Sequence, residues 1–454
     1  MTDTTALERA KATSDRIVDY CKAGNLTEAR DLFGAMTGLD DTPEFNFLRA
    51  KASVHLINGY KKAKNLPEAR RLFDAMAELG DASWVVHCRA KAADNLIRSY
   101  LYGAKNLSEA QKLYDTMVTL GVMPKIAYRR ARVALYLIRA YCYDVENLPM
   151  AQKLFEDMSE LGDMPKIASY RAYAAVDLIN RYSRTGKAEY LPEARRIFDA
   201  MTGGFGDTRG IMRCRVEAAF HLIDGYRKAG ELSEAQSLFD AMAGLGNPKE
   251  IAWYRARAAS CLIDGYRKAG ELPEARKLFD IMLKLSNVGN ITSLRDEAAV
   301  RLILDYRKAG NLPEIQKLFK TLARAGYTQG VTHILANAAV YVIRGFCYSG
   351  NLQEAQDLFD AMTVFGDTQE IALCRAEAAF SLIFCYCKEG SYAELLCQHD
   401  RFKVGMGFYS YAEFRKRNVE NLPRARKLFE TMTELGDAPE IKALCAKIEP
   451  LLSE

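Results

Sequence analysis

A unit of about 40 residues recurs along the chain and constrains the fold more than any other feature of the sequence. LIDGYRKAGELSEAQSLFDAM begins at Leu222, and LIDGYRKAGELPEARKLFDIM begins forty residues later at Leu262. The leucine that opens the second half of the unit recurs at Leu26, Leu66, Leu107, Leu148, Leu191, Leu232, Leu272, Leu312 and Leu352. Such a period indicates a repeat architecture in which only stacked neighbours bury a core.

Each unit predicts two helices. The first carries RAxAAxxLIxxY, as in 255–266, with small and apolar residues at helical spacing, and it ends at a glycine such as Gly230. The second opens with LPEA, where Pro67 lies in the first turn, and continues as LFDAM. We therefore expect an all-α fold, a right-handed α-solenoid of about eleven helix-turn-helix repeats forming one domain over 1–454. Regular units fill about 1–390, and degenerate units with a C-terminal cap fill about 391–454.

Composition and charge limit the class of protein. The chain is 49% hydrophobic, carries a net charge of +5 and has 11 cysteines without a pairing pattern. We expect a soluble protein of a reducing intracellular compartment, cytoplasm or organelle matrix, with no targeting segment visible and no membrane partner. A charge of +5 excludes a generic polycation, so a nucleic-acid site would require local sorting of charge.

The motif LIxGYxKAGxLxEAxxLFDxM resembles the pentatricopeptide repeat, a relative of the tetratricopeptide repeat. Leu56, Tyr60, Ala69 and Phe73 match positions that both families share, whereas Met76 is typical of the pentatricopeptide side. The resemblance covers nearly the whole chain, although its 40–41-residue period exceeds the 34 residues of a tetratricopeptide unit. It implies binding of single-stranded RNA at roughly one base per repeat, in organelles, with one base-reading side chain two residues before the leucine of LI.

The base-reading column predicted by this resemblance is mostly apolar. Its polar members, Ser14, Asp94 and Ser260, could hydrogen-bond a base edge, whereas Phe220 and Phe380 could only stack on a base. The other members are Val or Leu, and apolar side chains cannot distinguish bases by their hydrogen-bonding groups. A complete base-by-base code is therefore not expected.

A second column, seven residues before the same leucine, is almost always arginine. This arginine ladder consists of Arg9, Arg49, Arg89, Arg130, Arg171, Arg215, Arg255, Arg295 and Arg375, with Leu335 as the exception. It could clamp phosphates, but the acid of LFD fifteen residues earlier becomes Lys320 where the arginine becomes Leu335. This co-variation favours ion pairs that join neighbouring repeats over phosphate binding.

The variable columns of the first helix predict a groove. In the first four repeats they hold cations and one acid, Asp94; the cations are Lys11, Lys51, Lys61, Lys91, Arg98, Arg132 and Arg139. In the later repeats the same columns are balanced in charge. The basic half could bind RNA or an acidic peptide, or it could be a solvated face with no partner.

Catalysis has little support in the sequence, because no histidine pair or phosphate-binding glycine loop occurs. Cys385, Cys387, Cys397 and His399 form a weak zinc candidate, since residues two apart on a helix point away from each other. We expect no enzymatic activity, no cofactor and no small-molecule substrate. The leading hypothesis is a scaffold that binds single-stranded RNA in the basic groove, and the alternative is an adaptor that binds a protein segment there.

Overall fold

In a computed structural model, the chain divides into two compact units, Met1–Gly246 (unit 1) and Asn247–Glu454 (unit 2). The structure describes residues 2–38, 42–245, 248–285, 289–325, 329–366, 368–387 and 421–453. Within those ranges it contains 21 α-helices, numbered α1 to α21 in chain order, and no β-strand. The all-α solenoid predicted from the repeats is therefore confirmed.

Unit 1 consists of six helix pairs. Its helices are α1 (Thr2–Ala23), α2 (Leu26–Thr37), α3 (Pro43–Lys62), α4 (Leu66–Ala75), α5 (Ser83–Ser99), α6 (Leu107–Thr119), α7 (Pro124–Tyr141), α8 (Leu148–Asp157), α9 (Pro165–Arg184), α10 (Leu191–Gly204), α11 (Arg209–Ala229) and α12 (Leu232–Ala241). The odd-numbered helix is the first helix of each repeat, and the even-numbered helix is the second.

Unit 2 continues the same alternation. Its helices are α13 (Pro248–Ala269), α14 (Leu272–Lys284), α15 (Gly289–Lys308), α16 (Leu312–Ala325), α17 (Gln329–Tyr348), α18 (Leu352–Ala361), α19 (Gln369–Tyr386), α20 (Leu422–Glu434) and α21 (Pro439–Ser453). The predicted C-terminal capping helix corresponds to α21.

Local sequence sets the helix boundaries. The side chain of Asn65 accepts a hydrogen bond of 3.3 Å from the backbone N–H of Glu68, and Pro67 occupies the first turn of α4. Gly230 ends α11 with φ of 84°, a left-handed conformation that glycine adopts without strain. These devices make the turn between the two helices of a repeat short, so the helices pack as a hairpin.

The core lies between successive first helices. In unit 1, α1, α3, α5, α7, α9 and α11 contact one another in chain order. The second helices α2, α4, α6, α8 and α10 each contact the first helix before and after them, and α12 contacts α11. Close approach is needed at Gly225, where an added Cβ would lie 2.8 Å from the Cβ of Ser183. No helix in the part of the chain that the structure describes combines the length and apolarity needed to cross a membrane.

The tyrosine near the end of most first helices is a packing residue. Tyr141 and Tyr182 are buried, and each hydroxyl donates to the side chain of a glutamine on the preceding second helix. The partners are Gln111 at 3.0 Å and Gln152 at 2.9 Å. The column therefore ties one repeat to the next and is not available for base stacking.

The tenth repeat takes its second helix from a distant part of the sequence. α20 carries LPRARKLFETM, the second-helix motif, and it contacts α19 although α19 ends at Tyr386. The hydroxyl of Tyr386 interacts with Arg424, which occupies the position of the glutamate in LPEA. α21 contacts both α19 and α20 and so covers this helix pair.

Candidate functional site

The arginine ladder is built into the junctions between repeats. Arg49 is 3% exposed, and its Nε donates to the backbone carbonyl of Met36 at 2.9 Å. Arg215 repeats this arrangement, with Nε to the carbonyl of Met201 at 3.2 Å and Nη2 to the carbonyl of Gly206 at 2.8 Å. A cation at the carbonyl end of a helix is favoured by the helix dipole. At these two junctions the ladder arginine therefore caps the second helix of the preceding repeat.

The other ladder residues agree with this role. Arg89 and Arg171 lie 3.6 Å from Asp81 and Asp163, the acids that follow the glycine after a second helix. Arg130 and Arg295 are buried, and Arg255 and Arg375 are half-buried. Arg9, which has no repeat before it in this sequence, is exposed. These positions favour the structural interpretation of the ladder and leave little guanidinium surface for phosphate.

The predicted partner of the ladder is corrected. The LFD acids Asp74 and Asp199 bind the arginine four positions earlier on their own helix. The ladder arginines of the same two junctions, Arg89 and Arg215, lie close to Asp81 and Asp207 instead. Asp74 accepts from Arg70 at 3.0 Å and Asp199 from Arg195 at 2.9 Å. A pair four residues apart lies on one helix face, so it forms without reaching the next repeat.

The base-reading column is also corrected. Ser14, Asp94 and Phe220 are buried between neighbouring first helices, and Ser260 and Phe380 are only partly exposed. The reason is that successive first helices pack against each other along this column. Its apolar character was the signal of burial.

Asp94 binds three arginines from within this interface. Its side chain is fully buried; Arg132 forms a very short contact with it, Arg129 lies at 3.2 Å, and Arg98 at 3.5 Å. Two of these cations come from α7, the first helix of the next repeat. A carboxylate surrounded in this way joins repeats three and four and cannot reach a base edge.

The predicted groove cations fall into two groups. Arg98, Arg132 and Arg139 are bound to acids, with Arg139 Nε 2.8 Å from Asp177. The lysines form fewer ion pairs than these arginines. Lys51 reaches only the exposed Asp15, at 3.5 Å, and Lys11, Lys61 and Lys91 form no ion pair within the described residues.

The pKa values of two histidines are lowered by burial and by the cations of this face. Burial lowers the pKa of His55, and Lys91, Lys51 and Lys22 lower it further. Burial likewise lowers the pKa of His87, assisted by Arg129, Lys125 and Lys91. Burial followed by the charge of Arg98 lowers the pKa of Lys61. Cations from three successive first helices therefore raise the local potential together.

The same face carries exposed aromatic rings that the sequence analysis missed. Trp84 is 43% exposed, Tyr102 64% and Tyr143 87%, all far above the buried tyrosine column. Edge-to-face pairs link neighbouring repeats: Phe47 with Trp84 at 6.4 Å and Tyr102 with Tyr136 at 6.0 Å between ring centroids. Their spacing from the leucine of LI could have identified them in the sequence. Trp84 precedes Leu96 by twelve residues, and Tyr102 follows it by six. Both offsets lie on the same side of the helix as Lys91.

We call this surface the basic-aromatic face. It is defined by Phe47, Lys51, Trp84, Lys91, Tyr102, Lys125, Arg139 and Tyr143.

A cleft of about 420 Å³ opens in the basic-aromatic face between the front ends of α5 and α7. Trp84 and His87 form one wall, and Met123, Pro124 and Lys125 form the other. The cleft thus combines an exposed indole ring, an apolar floor and a cation.

Two of the corresponding cations of unit 2, Arg267 and Arg344, are bound to acids. Arg267 lies 2.5 Å from Asp305 and 2.9 Å from Asp264, and Arg344 lies 3.0 Å from Glu377. This pairing agrees with the balanced charge expected for the later repeats.

The zinc candidate cannot be assembled from the described residues. Cys397 and His399 lie outside the residues that the structure describes. Cys385 on α19 and Cys387, directly after the end of α19, are both buried. A hydrogen bond with Cys347, together with burial, raises the pKa of Cys385 and keeps its thiol neutral. Among the described side chains, no group of three or more His, Cys, Asp or Glu residues is arranged to hold a metal ion.

Five segments of the chain match the family model described as the PPR repeat, the pentatricopeptide repeat. They span residues 17–40, 54–81, 221–247, 258–286 and 341–367. Each begins within a first helix and extends through the second, so the matches share the phase of the structural repeats. No curated protein sequence matches the chain significantly.

Several solved structures resemble the chain over most of its length. The full-length AP-3 complex is 11% identical, with 97% of this chain and 90% of that chain covered and a TM-score of 0.36. The human IFIT1 dimer with PPP-AAAA is 12% identical, with 97% and 92% covered and a TM-score of 0.23. Cut9-Hcn1 of the APC/C is 13% identical, with 96% and 88% covered and a TM-score of 0.22. Similarity this low carries no argument about what the chain binds.

Proposed function

We propose that this chain, a helical-repeat protein with pentatricopeptide-type repeats, is a non-enzymatic scaffold that binds single-stranded RNA. The bound strand follows the basic-aromatic face of unit 1. The proposal places RNA on the outward columns of α3, α5 and α7 and not on the buried column two residues before the leucine of LI.

The observation that carries the proposal is the interleaving of cations and aromatic rings on one exposed face. Lys91 has no ion pair in the described part of the chain, and the large exposed rings of Trp84 and Tyr102 precede and follow it in the same repeat. Proteins that bind single strands combine cations that follow the backbone with rings on which bases stack. Base faces are accessible in a single strand and hidden in a duplex, so this surface favours single-stranded RNA.

An adaptor of the tetratricopeptide type is the second candidate. The same lysines would attract an acidic protein segment, and the apolar floor at Met123 and Pro124 would accept one of its side chains. Because the arginine ladder is largely buried, it does not support RNA binding over protein binding. Variants of the basic-aromatic face are therefore needed to distinguish the two candidates.

The function can be tested with two triple variants of equal charge change. Lys51→Gln, Lys91→Gln and Lys125→Gln alter the face, whereas Arg71→Gln, Lys112→Gln and Lys153→Gln alter exposed cations on second helices. Binding of each protein to a random single-stranded RNA pool is measured over a range of salt concentrations. If the three face lysines contact phosphates, their loss lowers the slope of log affinity against log salt by about 2.

The outcomes separate the candidates. The proposal expects the face variant to lose affinity and slope while the control variant binds like the wild type. Equal losses in both variants would indicate a nonspecific charge effect and contradict the site. Absence of RNA binding at low salt, together with salt-sensitive binding of a glutamate-rich peptide, would replace the proposal with the adaptor.

A further inference from the structure

The cleft beside Trp84 has the features of a site for a single nucleobase. Its volume of about 420 Å³ lies within the range of small-molecule sites. Trp84 is 43% exposed, and its edge-to-face contact with Phe47, with the ring planes at 78°, occupies at most one face of the indole. The exposed part of the ring can be reached by a flat ligand.

The cations around the cleft indicate the chemical class of its ligand. Lys125 lines the cleft itself, and Lys91 and Arg129 also lie within electrostatic range of His87 in its wall. A planar aromatic surface surrounded by cations is suited to a base whose neighbouring groups are phosphates. An uncharged apolar side chain would gain nothing from these cations.

The other tryptophan of the chain, Trp253, has a cation over its ring. The guanidinium carbon of Arg257 lies 4.6 Å from the ring centroid of Trp253, and Tyr254 contacts the same ring edge-to-face. Trp84 has no such cation over its ring among the described residues. The two tryptophans therefore differ in whether a ring face is available.

We propose that one base of the bound RNA stacks on Trp84 in the cleft between α5 and α7, while Lys125 and Lys91 contact the phosphates on either side. This inference rests on the proposed function and extends it, because it assigns one side chain to one base. A stacking site accepts any base, so it contributes affinity and sets the position of the strand without a strict sequence preference.

The two tryptophans allow a direct optical test. In a Trp253→Phe protein, Trp84 is the single tryptophan, and its fluorescence reports on its own ring. Titration with an adenosine dodecamer is expected to quench this fluorescence with the same midpoint as the anisotropy of a labelled strand. A dodecamer of abasic ribose phosphates, which keeps the charge and removes the rings, is expected to bind more weakly and leave the fluorescence unchanged.

Substitution of Trp84 supplies the second readout. Trp84→Ala is expected to weaken binding of the adenosine dodecamer about tenfold or more, and Trp84→Phe is expected to restore most of the loss. The abasic dodecamer is expected to bind the wild type and both variants equally. The fluorescence measurement needs no change at Trp84, so it remains informative if Trp84→Ala fails to fold.

The results distinguish this inference from the proposed function. Binding of the adenosine dodecamer without quenching, and with full affinity in Trp84→Ala, would overturn the stacking site and leave the RNA face standing. Absence of binding by both dodecamers at low salt would overturn the proposed function. Quenching by a glutamate-rich peptide with no response to RNA would assign the cleft to a protein partner.

Discussion

A buried carboxylate with three cationic neighbours determines how repeats three and four join. Asp94 is inaccessible to solvent, and Arg129 and Arg132 reach it from the next first helix. Removing one partner of a buried charge cluster leaves the others desolvated without compensation. Asp94 therefore belongs to the packing of unit 1, although its position in the repeat suggested a base reader.

Substitution of this carboxylate tests that assignment. Asp94→Asn is expected to lower the free energy of unfolding by about 3 kcal/mol, because three arginines lose their buried counter-charge. Urea denaturation measures the effect, and Asp74→Asn, which breaks an exposed pair on one helix, is expected to cost about 0.5 kcal/mol or less. If Asp94→Asn is as stable as the wild type but has an altered RNA sequence preference, Asp94 contacts a base and the packing role is wrong.

The two histidines of the basic-aromatic face predict a pH dependence of stability. Burial and cations on three first helices lower the pKa of His55 and His87 below the ordinary value of about 6.5. Near and below that pH the unfolded chain binds more protons than the folded chain, so the free energy of unfolding falls as the pH falls. A His55→Gln and His87→Gln double variant is expected to lose less stability than the wild type between about pH 7.5 and pH 5.5. Parallel stability curves would contradict the positive potential inferred for this face.

At the scale of helices, the repeat period and the end signals were sufficient to predict the fold. Proline in the first turn, glycine at the end and the 40-residue spacing are local features, so they can be seen in the sequence. The orientation of each helix about its own axis is not local, because it follows from how neighbouring first helices pack. For that reason the sequence did not show that Ser14 and Asp94 are buried, whereas Lys51 and Lys91 are partly exposed and their role in a groove stays a prediction.

The second helix of the tenth repeat could not be predicted for a related reason. The sequence shows a second-helix motif at Leu422, but only the three-dimensional contacts show that it serves the first helix that ends at Tyr386. The exposed rings of Trp84 and Tyr102 were missed because their offsets lie near the ends of the repeat motif, where the resemblance to known repeats is weakest.

The capping role of the arginine ladder can be tested at one junction. Arg215→Gln removes the bonds to the carbonyls of Met201 and Gly206 and the ion pair to Asp207. We expect a loss of stability of about 2 kcal/mol and faster amide hydrogen exchange at the end of α10 than in the wild type. Arg9→Gln, at the exposed first position of the ladder, serves as the control and is expected to change neither quantity. Unchanged exchange at α10 together with weakened RNA binding would favour the phosphate clamp.

At the scale of the whole molecule, a modest net charge of +5 conceals an uneven distribution. In the variable columns of unit 2, Arg267 is paired with Asp264 and Asp305. In unit 1, Lys11, Lys61 and Lys91 form no ion pair within the described residues. Long-range attraction of a polyanion depends on such sorting more than on the total charge. The account therefore assigns RNA to the first helices of unit 1.

Cross-linking of a random single-stranded RNA pool carrying 4-thiouridine, followed by identification of the attached peptides, tests this assignment most directly. The account predicts adducts in α3, α5 and α7, with Trp84 and Tyr102 among the modified residues, and loss of these adducts at high salt. Adducts confined to the second helices or to unit 2, or no adducts at low salt, would contradict it.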